Sequence, residues 1–247
     1  MGILFFFPSY SLVLNSVLAL LLLATGKYRS FLTSSGLLSA WLLGVILWGS
    51  LGFAGWSTCV VYLIAGSLVT KVKMAEKEKK GIAESRGGAR GPENVWGSAA
   101  TAAFCAMMAT YSLQDTGLFR IGFVASLATK LSDTFASELG KAYGKKTFLI
   151  TSMKPVPAGT EGAVSVEGTL AGVVGSLVIA VWAVMTNVML ASEIPVVMIA
   201  AFVATTCESV IGATVQDKYK WLTNEAVNAI NTSIGAAVGI LLFNMYH

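Results

Sequence analysis

Long apolar stretches alternate with short polar connections along the chain, and each stretch is close to the length that crosses a bilayer core as a helix. Because a backbone in lipid must satisfy its own hydrogen bonds, each stretch is predicted to be helical. The pattern predicts eight spans, at residues 9–25, 31–51, 53–72, 95–113, 117–139, 167–190, 194–214 and 225–245. The joint near Gly52 is short, so the second and third spans should form a tight hairpin. We therefore predict an all-α, polytopic membrane helix bundle that forms a single transmembrane domain over residues 1–247.

Composition agrees with this pattern. Hydrophobic residues make up 55% of the chain and charged residues 12%, which is about half the charge of an ordinary soluble protein. This composition excludes a soluble globular enzyme, a disordered chain and a disulfide-stapled secreted domain.

The basic residues indicate an orientation. The first, third, fifth and seventh connections hold all of the 17 Lys and Arg residues except Arg120 and Lys130. Since an excess of Lys and Arg marks the cytoplasmic side of a membrane, these connections are predicted to face the cytoplasm or stroma. Both termini should then lie on the opposite, non-cytoplasmic side. The net charge is +4, and nearly all of the basic residues behind it lie on one predicted side of the membrane. Because membrane topology explains this distribution, we expect no nucleic-acid partner.

Four ionisable residues fall within predicted spans, namely Lys130, Asp133, Glu138 and Glu208. Each costs about 2.5–3.5 kcal/mol at a helix centre, so each should face a partner, a cavity or a ligand. Helical spacing places one set of polar residues on a single face, namely Lys130, Asp133, Ser137 and Lys141. The face predicts a functional site, and the alternative is an internal Lys130–Asp133 ion pair that only joins helices.

Three glycine-rich polar segments lie on the basic side, at residues 86–94, 137–145 and 155–168. Glycines let backbone N–H groups approach phosphates, while Lys and Arg supply countercharge. Acidic residues beside such cations are typical of a divalent metal that bridges protein and phosphate. Asp133 and Glu138 are the first candidates for metal contact, and further candidates are Glu161, Glu167 and Glu208. Oxygen ligands without histidine or thiolate favour magnesium.

Other polar positions have two interpretations. Arg86 and Arg90 stand in a glycine segment, where phosphate contact and a solvated turn are equally consistent. One face of the last span carries three amides, Asn224, Asn228 and Asn231, which either bind ligand or hydrogen-bond neighbouring helices. The run 71–84 is typical of a solvated helix, with Glu76 and Lys80 spaced as an i, i+4 pair.

Small residues recur at helical spacing in two of the predicted spans. The pairs are Gly168 with Gly172 and Gly235 with Gly239. Such pairs let helices approach closely. Packing inside one chain is the favoured interpretation, and contact between copies in a homo-oligomer is the alternative.

Three motifs together resemble a known family. They are KLSDTFASELGK at 130–141, PVPAGTEGAVS at 155–165 and EGTLAG at 167–172. The sequence resembles the phytyl-phosphate kinase family of plants and cyanobacteria, which is more distantly similar to phytol kinase, dolichol kinase and phosphatidate cytidylyltransferase. The resemblance extends roughly from residue 86 to the last span.

The resemblance implies an integral-membrane enzyme that uses CTP and Mg²⁺. It would transfer the γ-phosphoryl group to an isoprenyl monophosphate, above all phytyl phosphate, and release CDP, in tocopherol and prenyl-lipid salvage. In such enzymes an Asp and a Lys of the first motif serve nucleotide and metal, which here are Asp133 and Lys141. Such enzymes also carry a Glu-Gly-Ser/Thr element that contacts phosphate, which corresponds here to Glu167, Gly168 and Thr169. Residues 161–163 are a near copy of this element.

The hypothesis assigns catalysis to Asp133, Lys130 and Lys141. Phosphate and nucleotide contact is expected from Arg86, Arg90, Asn94, Ser137, Lys145, Lys154, Thr160, Gly162, Ser165, Glu167 and Gly168. These residues lie in three cytoplasmic-side segments, at about 84–98, 130–172 and 205–231. Besides CTP and the isoprenyl monophosphate, membrane lipids are the expected partners. The alternatives are a cytidylyltransferase that makes a CDP-lipid and a transporter for a small anion.

Overall fold

The computed structural model describes residues 7–112 and 116–246 of the chain. Its helices are α1 (Phe7–Thr25), α2 (Ser34–Lys71), α3 (Met74–Lys79), α4 (Pro92–Tyr111), α5 (Thr116–Tyr143), α6 (Val166–Met185), α7 (Ile194–Thr214) and α8 (Asn224–Tyr246). Two short strands, β1 (Phe148–Leu149) and β2 (Ala163–Val164), pair antiparallel between α5 and α6, and the sequence pattern did not predict them. The predicted end of the fourth span at residue 113 and the two chain ends, whose sidedness was predicted, lie outside the described residues.

Helix α2 contains the predicted hairpin. At Gly52 the backbone leaves the helical region with φ +63°, which favours glycine. Trp56 donates a hydrogen bond of 3.1 Å to the side chain of Asn15, and Gly44 packs against that same side chain. A straight helix would hold Gly44 and Trp56 about 18 Å apart at its rise of 1.5 Å per residue. The two arms of α2, residues 34–51 and 53–71, therefore fold back on one another.

Helix α5 is the centre of the bundle, and every residue from 121 to 132 is buried. Helices α4, α6, α7 and α8 all pack against it. The predicted small residues lie at two of these contacts, because Gly168 and Gly172 of α6, like Gly235 and Gly239 of α8, face the α5 backbone or its side chains. These glycines therefore let helices pack closely within one chain, which is the interpretation favoured from the sequence.

A membrane environment fits the outer surface. By length and composition, four helical stretches in the described part of the chain can cross a membrane: Ser34–Lys71, Val166–Met185, Ala191–Thr214 and Asn224–Tyr246. Large apolar side chains such as Leu20, Leu170 and Leu241 are more than half exposed on the outside. The all-helical membrane fold is confirmed. Each of the eight predicted stretches contains a helix or one arm of α2, but the number of crossings stays a prediction.

The basic connections meet at one end of the bundle. The backbone N–H of Thr33 donates to the carbonyl of Arg90 at 2.9 Å, which joins the first connection to the third. Lys141 lies 3.6 Å from Glu84, which joins the third connection to the end of α5. Gly162, between α5 and α6, packs against the backbone of α7 near its last turn. The basic connections, which were predicted to lie on one side of the membrane, are therefore neighbours in space.

The close contact between α5 and α6 yields the first prediction. A methyl group at Gly175 would come within 2.8 Å of the Leu131 carbonyl oxygen, which is rigid helix backbone. We expect Gly175→Ala to destabilise the protein by about 1–3 kcal/mol through overpacking. The matched change Gly49→Ala has nothing within 4 Å and should stabilise by about 1 kcal/mol through helix propensity. Reversible unfolding in mixed detergent micelles measures both, and equal stabilities of the two variants would contradict the packing described.

Candidate active site

A cavity of about 700 Å³ opens at the basic end of the bundle. Its walls come from α2, α4, α5, α6, α7 and α8 together with the connections before α4 and before α6. Most of the residues singled out from the sequence line it: Arg90, Asn94, Lys130, Asp133, Ser137, Glu138, Lys141, Thr160, Glu161, Gly162, Ser165, Gly168, Glu208, Asn224 and Asn228. Three chain segments far apart in sequence, at 84–98, 130–172 and 205–231, therefore meet at one cavity.

Lys130 is the buried cation of this cavity. Its ammonium donates to Asp133 at 2.5 Å and to the side-chain oxygen of Asn228 at 2.7 Å. The ion pair that was considered as the structural alternative is thus present. Asp133 has a second neighbour besides Lys130, since its carboxylate also borders the cavity and interacts electrostatically with Glu208, which lines the same cavity. Among the three predicted amides, Asn228 therefore contacts a charged group directly.

Asp133 and Glu208 bring two carboxylates together in a largely buried place. Asn231 of α8 donates its side-chain N–H to Glu208 and so fixes this carboxylate from behind the cavity wall. Two adjacent carboxylates repel one another unless a proton or a cation lies between them. Magnesium is held by one or two carboxylates with the remaining ligands supplied by phosphates and water. The donor set fits that ion with substrate present, and the described residues contain no metal cluster of three or more acidic, histidine or cysteine side chains.

Glu138, for which a metal contact was predicted, is bound by two lysines in the structure, and the metal contact stays a prediction. Its carboxylate forms a buried ion pair with Lys77 of α3, and its other oxygen accepts from Lys141 at 3.2 Å. Lys77 also donates to the carbonyl oxygen of Thr70 at 2.7 Å. Both carboxylate oxygens are therefore engaged by ammonium groups, and Glu138 holds α3 against α5 and positions Lys141.

The solvated-helix prediction for residues 71–84 was wrong for Lys77. Only 1% of this side chain is exposed, because the ion pair with Glu138 draws it under α5. The flanking charges follow the prediction, since Glu76, Glu78, Lys79 and Lys80 are exposed. Nothing in the local sequence distinguishes Lys77 from the lysines around it.

Arg90 reaches the cavity from the connection before α4. Its guanidinium lies 5.0 Å from the ring centre of Tyr62. It also donates to the Leu63 carbonyl and to the Ser67 hydroxyl, each at 3.3 Å. These contacts leave a cation on the cavity wall beside the second arm of α2.

Arg86 lies outside the cavity wall. It is exposed and donates to Glu93 at 2.6 Å and to Asn94 at 2.7 Å. The pKa of the Glu93 carboxyl lies below its ordinary value because its own backbone N–H and the Arg86 guanidinium both stabilise the charged form. Asn94, which does line the cavity, donates to Glu225 at 3.0 Å and so ties α4 to α8.

The two Glu–Gly elements pack against different helices. Gly162 adopts φ +73° and lies against Ser209 and Ala213 of α7, where a side chain would not fit. Gly168 packs on α5, and its N–H donates to the Ser165 hydroxyl at 3.0 Å as the first turn of α6 is capped. Both glycines border the cavity, and so does Glu161.

Some predicted residues do not line the cavity, namely Arg86, Lys145, Lys154, Glu167 and Asn231. Lys145 and Lys154 are exposed on the surface. Sequence reasoning in turn missed a face of α7, which contributes Thr205, Ser209 and Gly212 to the wall. Small and polar residues at i, i+4 and i+7 within an apolar helix were the signal that could have revealed it.

Comparison with known proteins places these features in a family. The model of a family described as integral membrane protein DUF92 matches residues 17–236. An uncharacterized membrane protein of Synechocystis sp. is 53% identical over 95% of this chain and 91% of its own length. Protein VTE6, chloroplastic, of Arabidopsis thaliana is 45% identical over 95% of this chain and 72% of its own. An uncharacterized membrane protein of Methanocaldococcus jannaschii is 30% identical over 94% of this chain and 93% of its own length. No solved structure matches the chain.

These relatives confirm the family to which the three sequence motifs pointed. The plant and the cyanobacterial relative both align over nearly the full length of this chain. The match therefore includes the helices that build the cavity and the two glycine-rich segments beside it.

Proposed function

Since the chain belongs to the integral membrane protein family DUF92, we propose that it is a phosphotransferase of prenyl-lipid metabolism, related in function to phytyl-phosphate kinase. It takes the γ-phosphoryl group of CTP and passes it to an isoprenyl monophosphate, above all phytyl phosphate, for tocopherol and prenyl-lipid salvage. One observation carries the proposal. Lys130, Lys141 and Arg90 converge with Asp133 and Glu208 on a single cavity beside two glycine-rich segments.

The chemistry balances without a strong base. An oxygen of the lipid phosphate attacks the γ-phosphorus, and the bond from this phosphorus to the β–γ bridging oxygen breaks. The products are the prenyl diphosphate and CDP. Because the nucleophile is already an anion, the main barrier is repulsion between two phosphorylated substrates, which cations and backbone N–H donors in a partly dry site offset.

The chain's own residues supply this countercharge from several sides. Lys130 is fixed by Asp133 and Asn228, and Lys141 is fixed by Glu138. Arg90 contributes a third cation from the wall beside α2. Such fixed cations stabilise the charge that spreads over the transferred group without reorganising during the reaction.

Asp133 and Glu208 would hold Mg²⁺, which when bound neutralises negative charge on the nucleotide phosphates. Glu161 borders the same cavity and is the next carboxylate available. Asp133 on α5 and Glu208 on α7 belong to different helices. Correct packing of α7 on α5 is therefore a condition for the ion site that we propose.

The membrane orientation is also part of the proposal. The cavity lies at the end of the bundle where the basic connections meet, and the positive-inside pattern supports a site at the cytoplasmic or stromal surface. A nucleotide then arrives from water, while the lipid substrate arrives from the bilayer. Both reactants reach one surface.

Product analysis with purified protein in lipid nanodiscs tests the function. The reaction contains Mg²⁺, CTP labelled at the γ-phosphate and prenyl monophosphates of different length. We expect labelled prenyl diphosphate and one CDP per transfer. Release of pyrophosphate with a CDP-lipid would establish a cytidylyltransferase instead, and anion flux in liposomes without nucleotide would establish a transporter.

A further inference from the structure

The main cavity does not end at the polar surface. It follows one face of α7 inward from Gly212 through Ser209 and Thr205 to Phe202. From Phe202 to Gly212 the helix rises ten steps, which correspond to about 15 Å along its axis. The wall therefore extends from the polar end of the bundle into its apolar part.

The inner end of this wall reaches the outer surface of the bundle. Phe202 lines the cavity and is nevertheless 52% exposed on the outside of the bundle. Thr169, in the first turn of α6, lines the cavity and is also exposed. Its neighbour Leu170 is 63% exposed on the surface that faces lipid. Exposed residues of both α6 and α7 thus line the cavity at the outer surface of the bundle, which makes the seam between these helices a candidate lateral opening toward the bilayer.

We propose that this opening is the entry of the lipid substrate, an inference that rests on the function proposed above. The phosphate of a prenyl monophosphate lies at Lys130 and Asp133, and its hydrocarbon tail passes Thr205 and Phe202 into the bilayer. The change from hydroxyl to aromatic side chains along α7 matches the change from head group to hydrocarbon along the lipid.

Energetics favour a tail that stays in lipid. Every CH₂ group that leaves the bilayer for water costs free energy, so withdrawing a long tail into water would cost more than a few phosphate contacts return. A lateral entry avoids this cost, because only the head group leaves the bilayer interface. The tail beyond the first isoprene unit then contacts lipid rather than protein, and the enzyme discriminates little between long prenyl chains.

A second cavity offers the competing route. It is apolar, has a volume of about 130 Å³, and lies between α1, α2 and α4. It borders the main cavity at Tyr62, Arg90 and Asn94. An engineered apolar cavity of about 150 Å³ holds one benzene molecule, so this volume suits a single isoprene unit and not a whole tail.

A matched pair of variants on α7 tests the entry by kinetics. Thr206 lines the cavity near Phe202, whereas Val203 is 36% exposed and does not line it. We expect Thr206→Trp to raise the KM for a C20 prenyl monophosphate in vesicles at least tenfold, with the affinity for CTP unchanged. Val203→Trp, a replacement of nearly the same size, should retain the original KM. Equal KM values for the two variants would overturn the proposal.

Photolabelling separates this inference from the proposed function, because it needs no turnover. The probe is a C20 prenyl monophosphate with a diazirine on the isoprene unit nearest the phosphate, in phosphatidylcholine vesicles. We expect labels on α6 and α7 around Thr169, Thr205 and Phe202. Labels in an inactive protein at these positions would support the entry while refuting the kinase, and labels confined to α1, α2 and α4 in an active protein would refute only the entry.

Discussion

Asp133→Asn is expected to lower phosphoryl transfer by roughly 10³-fold or more while the protein remains folded. Asparagine has nearly the shape of aspartate and still accepts a hydrogen bond from Lys130, so the packing of α5 persists. The change removes one of the two adjacent carboxylates at Asp133 and Glu208. The experiment measures the initial rate of phosphoryl transfer as a function of the magnesium concentration. The elution volume in size-exclusion chromatography and thermal unfolding in detergent test whether the variant is folded.

The matched control for this prediction is Glu78→Gln. Glu78 is an exposed carboxylate on α3 at the same end of the bundle, so its neutralisation removes the same charge away from the cavity. We expect this variant to keep its rate and its magnesium dependence. If Asp133 served only its ion pair with Lys130, Asp133→Asn would lose stability and retain the original magnesium dependence, and the metal assignment would be withdrawn.

Lys77→Met is expected to destabilise the protein by about 3–5 kcal/mol, because it leaves the Glu138 carboxylate buried without its main partner. Both side chains of the pair are 1% exposed. Methionine fills a similar volume, so the loss reports the uncompensated charge rather than a cavity. Reversible unfolding in mixed micelles measures the change.

Two further variants isolate the cause. Lys79→Met, an exposed position on the same helix, should alter stability by less than about 0.5 kcal/mol. The double variant Lys77→Met/Glu138→Leu removes both charges and should recover much of the stability, since replacing a whole buried pair by apolar residues is often neutral. If the Lys77→Met protein were as stable as the Lys79→Met protein, the Lys77–Glu138 ion pair would contribute nothing to the free energy of unfolding.

Much of the architecture could be predicted because its physical basis is local. Apolar stretches of membrane length become helices wherever the backbone has no water to bond, and Gly52 marks the reversal of α2 because a short joint between two such stretches leaves no other geometry. The face of Lys130, Asp133 and Lys141 was predictable from helical spacing alone.

Other features depend on which helices meet, and spacing does not reveal this. The approach of Glu208 on α7 to Asp133 on α5 joins residues 75 positions apart. The burial of Lys77 depends on Glu138, which lies 61 residues away. The local pattern around Lys77 is that of an ordinary solvated charge. The pattern around Asp133 and Glu208 marks charges inside membrane spans but does not say which partner each one meets.

The sequence by itself determined that this chain is a helical membrane protein with its basic connections on one side, since hydropathy and charge act segment by segment. It also predicted the chemical class of the site, because intramembrane charges beside glycine-rich segments suit a charged ligand. Only the tertiary structure decided that Glu138 joins helices while Glu208 lies beside Asp133, and that residues of α6 and α7 line one cavity with those of α5. The physical reason is that charge pairing and access are set by contacts between helices, which no single stretch of sequence contains.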